Sequence, residues 1–367
     1  MNSEFLFSLY YIGLLIVTIF LSRFIFRKYI HFAKNFNLTT RTHPSMNYKG
    51  NTLIGGGVVF ASNLMVAALV LENLDFVEFS NFSPVLATSI LIAVVGFYND
   101  FVNISSFSKF IILIFLILML LYSNAILPII KNFNGFLGIN NIGAIQGLIF
   151  TSFVYIFIMI AINMYDRIDG YIAIFSIFFF TSLLYNFDLN KFYTLNSVSV
   201  IIIASSITYL KYNFSKGKKL FLGHSGSLFI GFWIATYLIT YITSAPNSEL
   251  VEVYSIDIEN IPLIALSMIS IPVLDIIRVI LVRILNRKSP FAADRNHLHH
   301  ILLDSGMTHL RTSLFLTVIN WFNCIAIFLM EQNFNSKELT LIYIFISLFW
   351  YSFFEYINRK NLSSSKG

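Results

Sequence analysis

Charged side chains are scarce in this chain. Asp, Glu, Lys and Arg make up 11% of its 367 residues, where a soluble domain carries about 25%. Hydrophobic residues reach 57%, with 40 Phe among them, and the mean hydropathy is +0.76. A soluble fold of this length has no interior large enough for so much apolar surface. A lipid-embedded one has no need of it. Cysteine is nearly absent: Cys324 stands alone, so no disulfide forms within the chain and the redox compartment is not legible from it. No cleavable leader is evident. The first apolar run, Leu6 to Phe26, has no basic segment before it and no small-residue cleavage site after it, and reads as a retained anchor. No internal repeat is visible, which leaves an inverted-repeat transporter without support.

What is there is a succession of apolar runs near the length a bilayer core needs, roughly 20 residues in a helix. They lie near Leu6–Phe26, Leu53–Leu71, Pro84–Tyr98, Phe107–Tyr122, Gly147–Ile162, Tyr171–Phe187, Val198–Leu210, Leu228–Thr243, Pro262–Leu285, Ser313–Met330 and Leu339–Tyr356. The sequence therefore predicts an all-α polytopic membrane protein of about eleven transmembrane helices. The third and seventh runs are short.

The connections alternate in charge. Arg27, Lys28, Lys34, Arg41 and Lys49 follow the first run without an acid. Glu72, Asp75 and Glu78 follow the second without a base. Lys211, Lys216, Lys218 and Lys219 follow the seventh; Glu249, Glu252, Asp257 and Glu259 follow the eighth. Arg287, Lys288, Arg295 and Arg311 follow the ninth, and the chain closes on Arg359, Lys360 and Lys366. Basic residues at helix ends mark the cytoplasmic side. The pattern predicts the N-terminus outside and the C-terminus in the cytoplasm. The net charge of +6 is then topological, and a nucleic-acid partner loses its main support. Residues 124–146, rich in Asn, Gly and turn chemistry, read as an outer loop with a short hairpin.

Four polar clusters fall on the predicted cytoplasmic face. The first is Gly96-Phe97-Tyr98-Asn99-Asp100. The second runs from Asn163 through Asp166, Arg167 and Asp169 to Gly170. The third is Phe221-Leu222-Gly223-His224-Ser225-Gly226-Ser227. The fourth runs from Pro272 and Asp275 to Ser289-Pro290-Phe291, Asp294, Arg295, His297, His299 and His300. Each has a plain structural alternative. Asn, Asp and Gly at helix ends serve as caps and turns. Small residues in the third cluster let helices pack. The histidines could form a solvated face, and Asp275 with Arg278 a neutralised pair. Together they point to a site. Carboxylates hold a hard divalent cation through oxygen. Gly-rich turns at helix starts offer backbone N–H groups to phosphate. Arg and His stabilise a transferring phosphoryl group.

These residues resemble the polyprenyl-phosphate N-acetylhexosamine-1-phosphate transferase family, over essentially the whole chain and most closely its undecaprenyl-phosphate GlcNAc-1-phosphate branch. Lys49-Gly50 with Gly56-Gly57 resembles the family's first loop. Gly96 through Asp100 resembles its Gly-Phe-x-Asp-Asp motif. Asn163 through Ala173 resembles Asn-Ala-x-Asn-x-x-Asp-Gly-x-Asp-Gly, and Phe221 through Ser227 resembles Phe-Met-Gly-Asp-x-Gly-Ser. His297-Leu298-His299-His300 is similar to the histidine loop of the GlcNAc branch.

The resemblance implies a single transferase domain over 1–367 in the bacterial cytoplasmic (inner) membrane, with a cytoplasmic histidine loop at 287–311. It implies transfer of a sugar 1-phosphate from a UDP-sugar to a polyprenyl phosphate, release of UMP, and a divalent cation, Mg or Mn. The implied catalytic residues are Asn99, Asp100 and Asp169. Lys49, Asn163, Gly223, Ser227, Asp294, Arg295, His297, His299 and His300 are implied in substrate binding, and Asp166 and His224 as metal ligands. A homodimer is the assembly to test. The chain departs from the pattern at several positions: Leu53 stands for the first loop's Pro, Asn99 for Asp, Asp166 for Asn, Ile172-Ala173 for Asp-Gly, and His224 for Asp. Two readings follow, an enzyme with a rebuilt cation site or an inactive relative that binds lipid phosphate, nucleotide sugar or a partner enzyme. A channel or transporter, a third class, lacks charges in mid-span.

Overall fold

The computed structural model describes residues 3–39, 52–102, 104–123, 128–186, 192–215, 217, 219–244, 246, 256–287 and 297–364. Among them the chain is helical, with isolated β-bridges only. Thirteen α-helices follow one another: α1 (Ser3–Asn35), α2 (Gly56–Asn73), α3 (Ser83–Val102), α4 (Ser106–Tyr122), α5 (Ala144–Met164), α6 (Tyr171–Asn186), α7 (Tyr193–Asn213), α8 (Gly223–Ser244), α9 (Ile261–Ser267), α10 (Ser270–Leu285), α11 (Leu298–Asp304), α12 (His309–Met330) and α13 (Ser336–Ser364).

Among the described residues the apolar runs fall on helices, one of them, Pro262–Leu285, on two. Eight helices among the described residues are long and apolar enough to cross a membrane: α1, α2, α3, α5, α7, α8, α12 and α13. Helices α4 and α6 are shorter and apolar, and α9 with α10 forms one broken candidate. The two runs that look short in sequence sit in helices of 20 and 21 residues. Helix α7 conceals its length because Asn196, Ser197, Ser199, Ser205 and Ser206 lower its hydropathy, yet all are buried. Buried polar side chains are tolerated where neighbouring helices satisfy them. One such node joins three helices: the Asn63 amide donates to Ser22 Oγ and Ser205 Oγ, each at 2.6 Å.

Burial ranks the helices. In the apolar stretch of α8, 89% is buried, against 6% in α13, so α8 is the central post and α13 lies at the edge. Helices α2, α3 and α5 pack around α8. The contact with α3 is backbone to backbone: a Cβ on Gly96 would stand 2.6 Å from the Ser225 nitrogen.

The expected span Pro262–Leu285 is broken, with α9 and α10 meeting at 72°. Pro272 has no N–H to return to the Met268 carbonyl four residues earlier. Asn320 of α12 fills the gap. Its amide donates to Met268 O at 2.7 Å, and its carbonyl accepts the Ile271 N–H at 3.0 Å. Residues 128–143 form the short hairpin, bridged antiparallel at Asn132 and Asn141. A 3₁₀ turn, Phe136–Gly138, sits at its tip.

Candidate active site at the start of α8

The lead-in to α8 is clamped before the helix begins. Phe221 N–H donates to Leu53 O at 2.8 Å, and Gly56 and Gly57 N–H donate to Phe221 O and Leu222 O at 3.0 Å each. Gly223 then turns with φ of +75°, a conformation that costs an L-residue about 1–2 kcal/mol. Space demands glycine as well: a Cβ there would lie 2.5 Å from Asp100 Oδ2.

A helix start leaves its first N–H groups without partners inside the helix and carries partial positive charge. Here carboxylates take those groups. His224 N–H donates to Asp100 Oδ1 at 2.8 Å, and the His224 ring places Nδ1 2.8 Å from the same oxygen. Asp166 accepts the Gly223 N–H and senses the charges of Asp100 and Asp169. Asp100 and Asp166 thus take the amides of His224 and Gly223.

Asp169 is held from two further elements. Lys219 Nζ lies 2.6 Å from its Oδ2. His309 and Ser313, both on α12, reach its backbone N–H at 3.3 Å and its carbonyl at 2.9 Å. Asn163 Oδ1 accepts the Ser227 hydroxyl at 2.7 Å, tying the end of α5 to the first turn of α8. Asn99 is buried, and its Oδ1 accepts the Ile104 N–H at 3.1 Å, closing the turn from α3 towards α4. Aspartate could accept the same bond, so the exchange to Asn preserves this contact.

The fourth cluster joins the other three. His297, His299 and His300 are 4%, 0% and 5% exposed, which removes the solvated-face alternative. The His299 ring lies 5.5 Å from Tyr165, the neighbour of Asp166 in sequence. Burial, followed by the fields of His300, His297 and Arg167, holds the His299 imidazole well below its ordinary pKa. Lys49, Asp294 and Arg295 lie outside the described residues.

Two residues escaped the sequence reading. His309 opens α12 against Asp169. Lys109, in the second turn of α4, is half-buried within the field of Asp100. A lone lysine just inside an otherwise apolar run was the available signal for Lys109.

Among the described residues, no three His, Cys, Asp or Glu side chains form a metal-holding group by themselves. The donors nonetheless suit a cation completed by substrate oxygens and water. Asp100 is buried with Oδ2 unpartnered, Asp166 is a hard oxygen donor beside it, and the His224 side chain is 39% exposed. Carboxylates facing a diphosphate would repel it without a cation between them.

Residues 82–242 match the model described as glycosyl transferase family 4. This segment is therefore similar to glycosyl transferase family 4 domains. It carries Asn99, Asp100, Lys109, Asn163, Asp166, Asp169, Gly223, His224 and Ser227, whereas Asp275, the histidine run and His309 lie beyond it. A probable undecaprenyl-phosphate N-acetylglucosaminyl 1-phosphate transferase of Bacillus subtilis (strain 168) is 30% identical over 186 residues, 51% of this chain and 49% of that protein. A decaprenyl-phosphate N-acetylglucosaminephosphotransferase of Mycobacterium leprae is 26% identical over 292 residues, covering 74% of this chain and 71% of the relative. An undecaprenyl-phosphate alpha-N-acetylglucosaminyl 1-phosphate transferase of Haemophilus influenzae is 30% identical over 156 residues, 41% of each chain. The match thus spans about half the length of the Bacillus relative. The GlcNAc-1-phosphate branch, expected from the motifs, is the one these relatives carry.

Proposed function

We propose that this protein transfers a HexNAc 1-phosphate, GlcNAc 1-phosphate in the first instance, from a UDP-sugar to undecaprenyl phosphate, as the first membrane step of a cell-surface polysaccharide. A phosphate oxygen of the lipid attacks the β-phosphorus of the donor. The bond from that phosphorus to the bridging oxygen breaks, and UMP leaves with the oxygen. The product is a lipid-linked diphosphosugar. The observation that carries the reading is the meeting of Asp100 and Asp166 at the α8 N-terminus inside a segment similar to glycosyl transferase family 4 domains.

Each residue has a task in this scheme. Asp166 and His224 are the proposed cation ligands, with Asp100 orienting the His224 ring through Nδ1. A bound Mg²⁺ or Mn²⁺ would neutralise the donor diphosphate. Asp169 fixes the second cluster in place through Lys219, His309 and Ser313. Lys109 offers positive charge to the lipid phosphate. The histidine run is assigned to the donor's sugar and diphosphate, and Arg295, Asp294 and Lys49 are assigned to substrate binding from their motifs alone.

The loop charges support eleven spans, with this site on the cytoplasmic face of a bacterial inner membrane. A reporter fused at the C-terminus tests that orientation, and an outer location would contradict it. The activity is tested with purified protein, UDP-GlcNAc and undecaprenyl phosphate. UMP release that depends on a divalent cation supports the reading. Absence of release with Mg²⁺ and with Mn²⁺ would favour the inactive relative.

A further inference from the structure

Asp275 lies in the second turn of α10 and is 1% exposed. A buried carboxylate is costly unless its oxygens are occupied, and both of these are. Oδ2 lies 3.0 Å from His297 Nδ1. Oδ1 accepts the Leu298 backbone N–H at 3.0 Å and an Arg278 N–H at 3.3 Å. Leu298 opens α11, and the side chain at its N-cap, His297, makes no capping bond of its own. One carboxylate from another helix therefore caps the backbone of α11 and grips the ring that precedes it.

The chemistry of the pair fixes a proton. An ionised carboxylate only accepts hydrogen bonds, so Nδ1 of His297 is the protonated nitrogen in this contact. Nε2 remains as the ring's other hydrogen-bonding atom. The ring is also held flat against a neighbour: His297 and His299 stack with centroids 5.5 Å apart and planes 7° from parallel. His299 in turn packs on Tyr165 beside Asp166. The pose of His297 is thus set from α10 and relayed towards the candidate site.

We propose that Asp275 is the positioning residue of the histidine run, fixing the tautomer and pose of His297 so that the ring meets the nucleotide-sugar donor through Nε2. The donor contact rests on the function proposed above; the hold of Asp275 on His297 does not.

The test uses the full-length protein in lipid nanodiscs, labelled with ¹⁵N-histidine, with the His297 signals assigned by their loss in His297→Gln. The native ring is expected to carry a proton on Nδ1, and added UDP-GlcNAc is expected to shift the Nε2 resonance. Asp275→Asn can turn either face of its amide to the ring, so the single tautomer should give way to a mixture. The KM for UDP-GlcNAc should then rise about tenfold, the scale of one lost hydrogen bond, with a smaller change in kcat. A native ring with Nδ1 bare, or an unchanged ring in Asp275→Asn, would overturn the proposal. The native spectrum alone carries that test should the variant fail to fold. An Nδ1–H ring that responds to the substitution but not to UDP-GlcNAc would uphold the positioning and overturn the donor contact.

Discussion

Asp100 Oδ1 accepts the His224 backbone N–H and faces the His224 ring nitrogen Nδ1, both at 2.8 Å. One carboxylate oxygen thereby fixes the start of α8 and the direction of the imidazole. Nε2 is the ring nitrogen left for a ligand.

That arrangement predicts a cation preference. Imidazole favours transition metals over Mg²⁺, so the native protein with UDP-GlcNAc should bind Mn²⁺ more tightly than Mg²⁺. His224→Asp should narrow the gap. Mn²⁺ paramagnetic resonance with Mg²⁺ competition measures both. Equal affinities in the native protein, or no response to His224→Asp, would remove His224 from the cation site.

Gly223→Ala should destabilise the protein by about 1–2 kcal/mol from its left-handed backbone alone, with more from the approach to Asp100 Oδ2. Gly217, which has nothing within 4 Å of a built Cβ, is the control. Thermal unfolding should show a clear fall for Gly223→Ala and little change for Gly217→Ala.

Lys109→Ala should lower transfer about 100-fold, the scale of losing one charge stabiliser, and raise the KM for undecaprenyl phosphate. Lys109→Arg should retain more activity than Lys109→Ala. Steady-state kinetics with the lipid varied decides the matter. Unchanged kinetics in Lys109→Ala would leave the lysine as an interfacial anchor.

The order of helices was legible because each needs its own apolar run, and that periodicity survives in one dimension. Asp100, Asp166 and His224 were legible as chemistry because polar residues at the ends of apolar runs stand out. Their relation was not. That Asp100 and Asp166 occupy the α8 amides depends on Gly223 and on the clamp from Leu53, which no local pattern announces. The break before α10 was missed because its cause is shared: Pro272 supplies the gap and Asn320, 48 positions away, fills it. Asn99 stands where the family pattern has Asp, and its Oδ1 makes a turn bond that either residue can make.

The buried His299 predicts a pH dependence of stability. Its folded pKa is depressed by burial, while the unfolded value is about 6.5. The unfolded chain therefore binds the proton first as pH falls. Stability is full above about 6.5 and declines below it until the folded pKa is reached, by at most about 1.4 kcal/mol per pH unit. Melting between neutral and mildly acidic pH should show the decline, and His299→Gln should flatten it. An equal slope in the variant would assign the effect elsewhere.

The most direct test follows the phosphorus. Purified protein is given UDP-GlcNAc labelled on its β-phosphate, undecaprenyl phosphate and Mn²⁺ or Mg²⁺. Sugar-1-phosphate transfer predicts label in the lipid phase and unlabelled UMP in the aqueous phase, both abolished in Asp166→Ala. Label retained in aqueous UDP while the sugar reaches the lipid, or no transfer with either cation, would contradict the account.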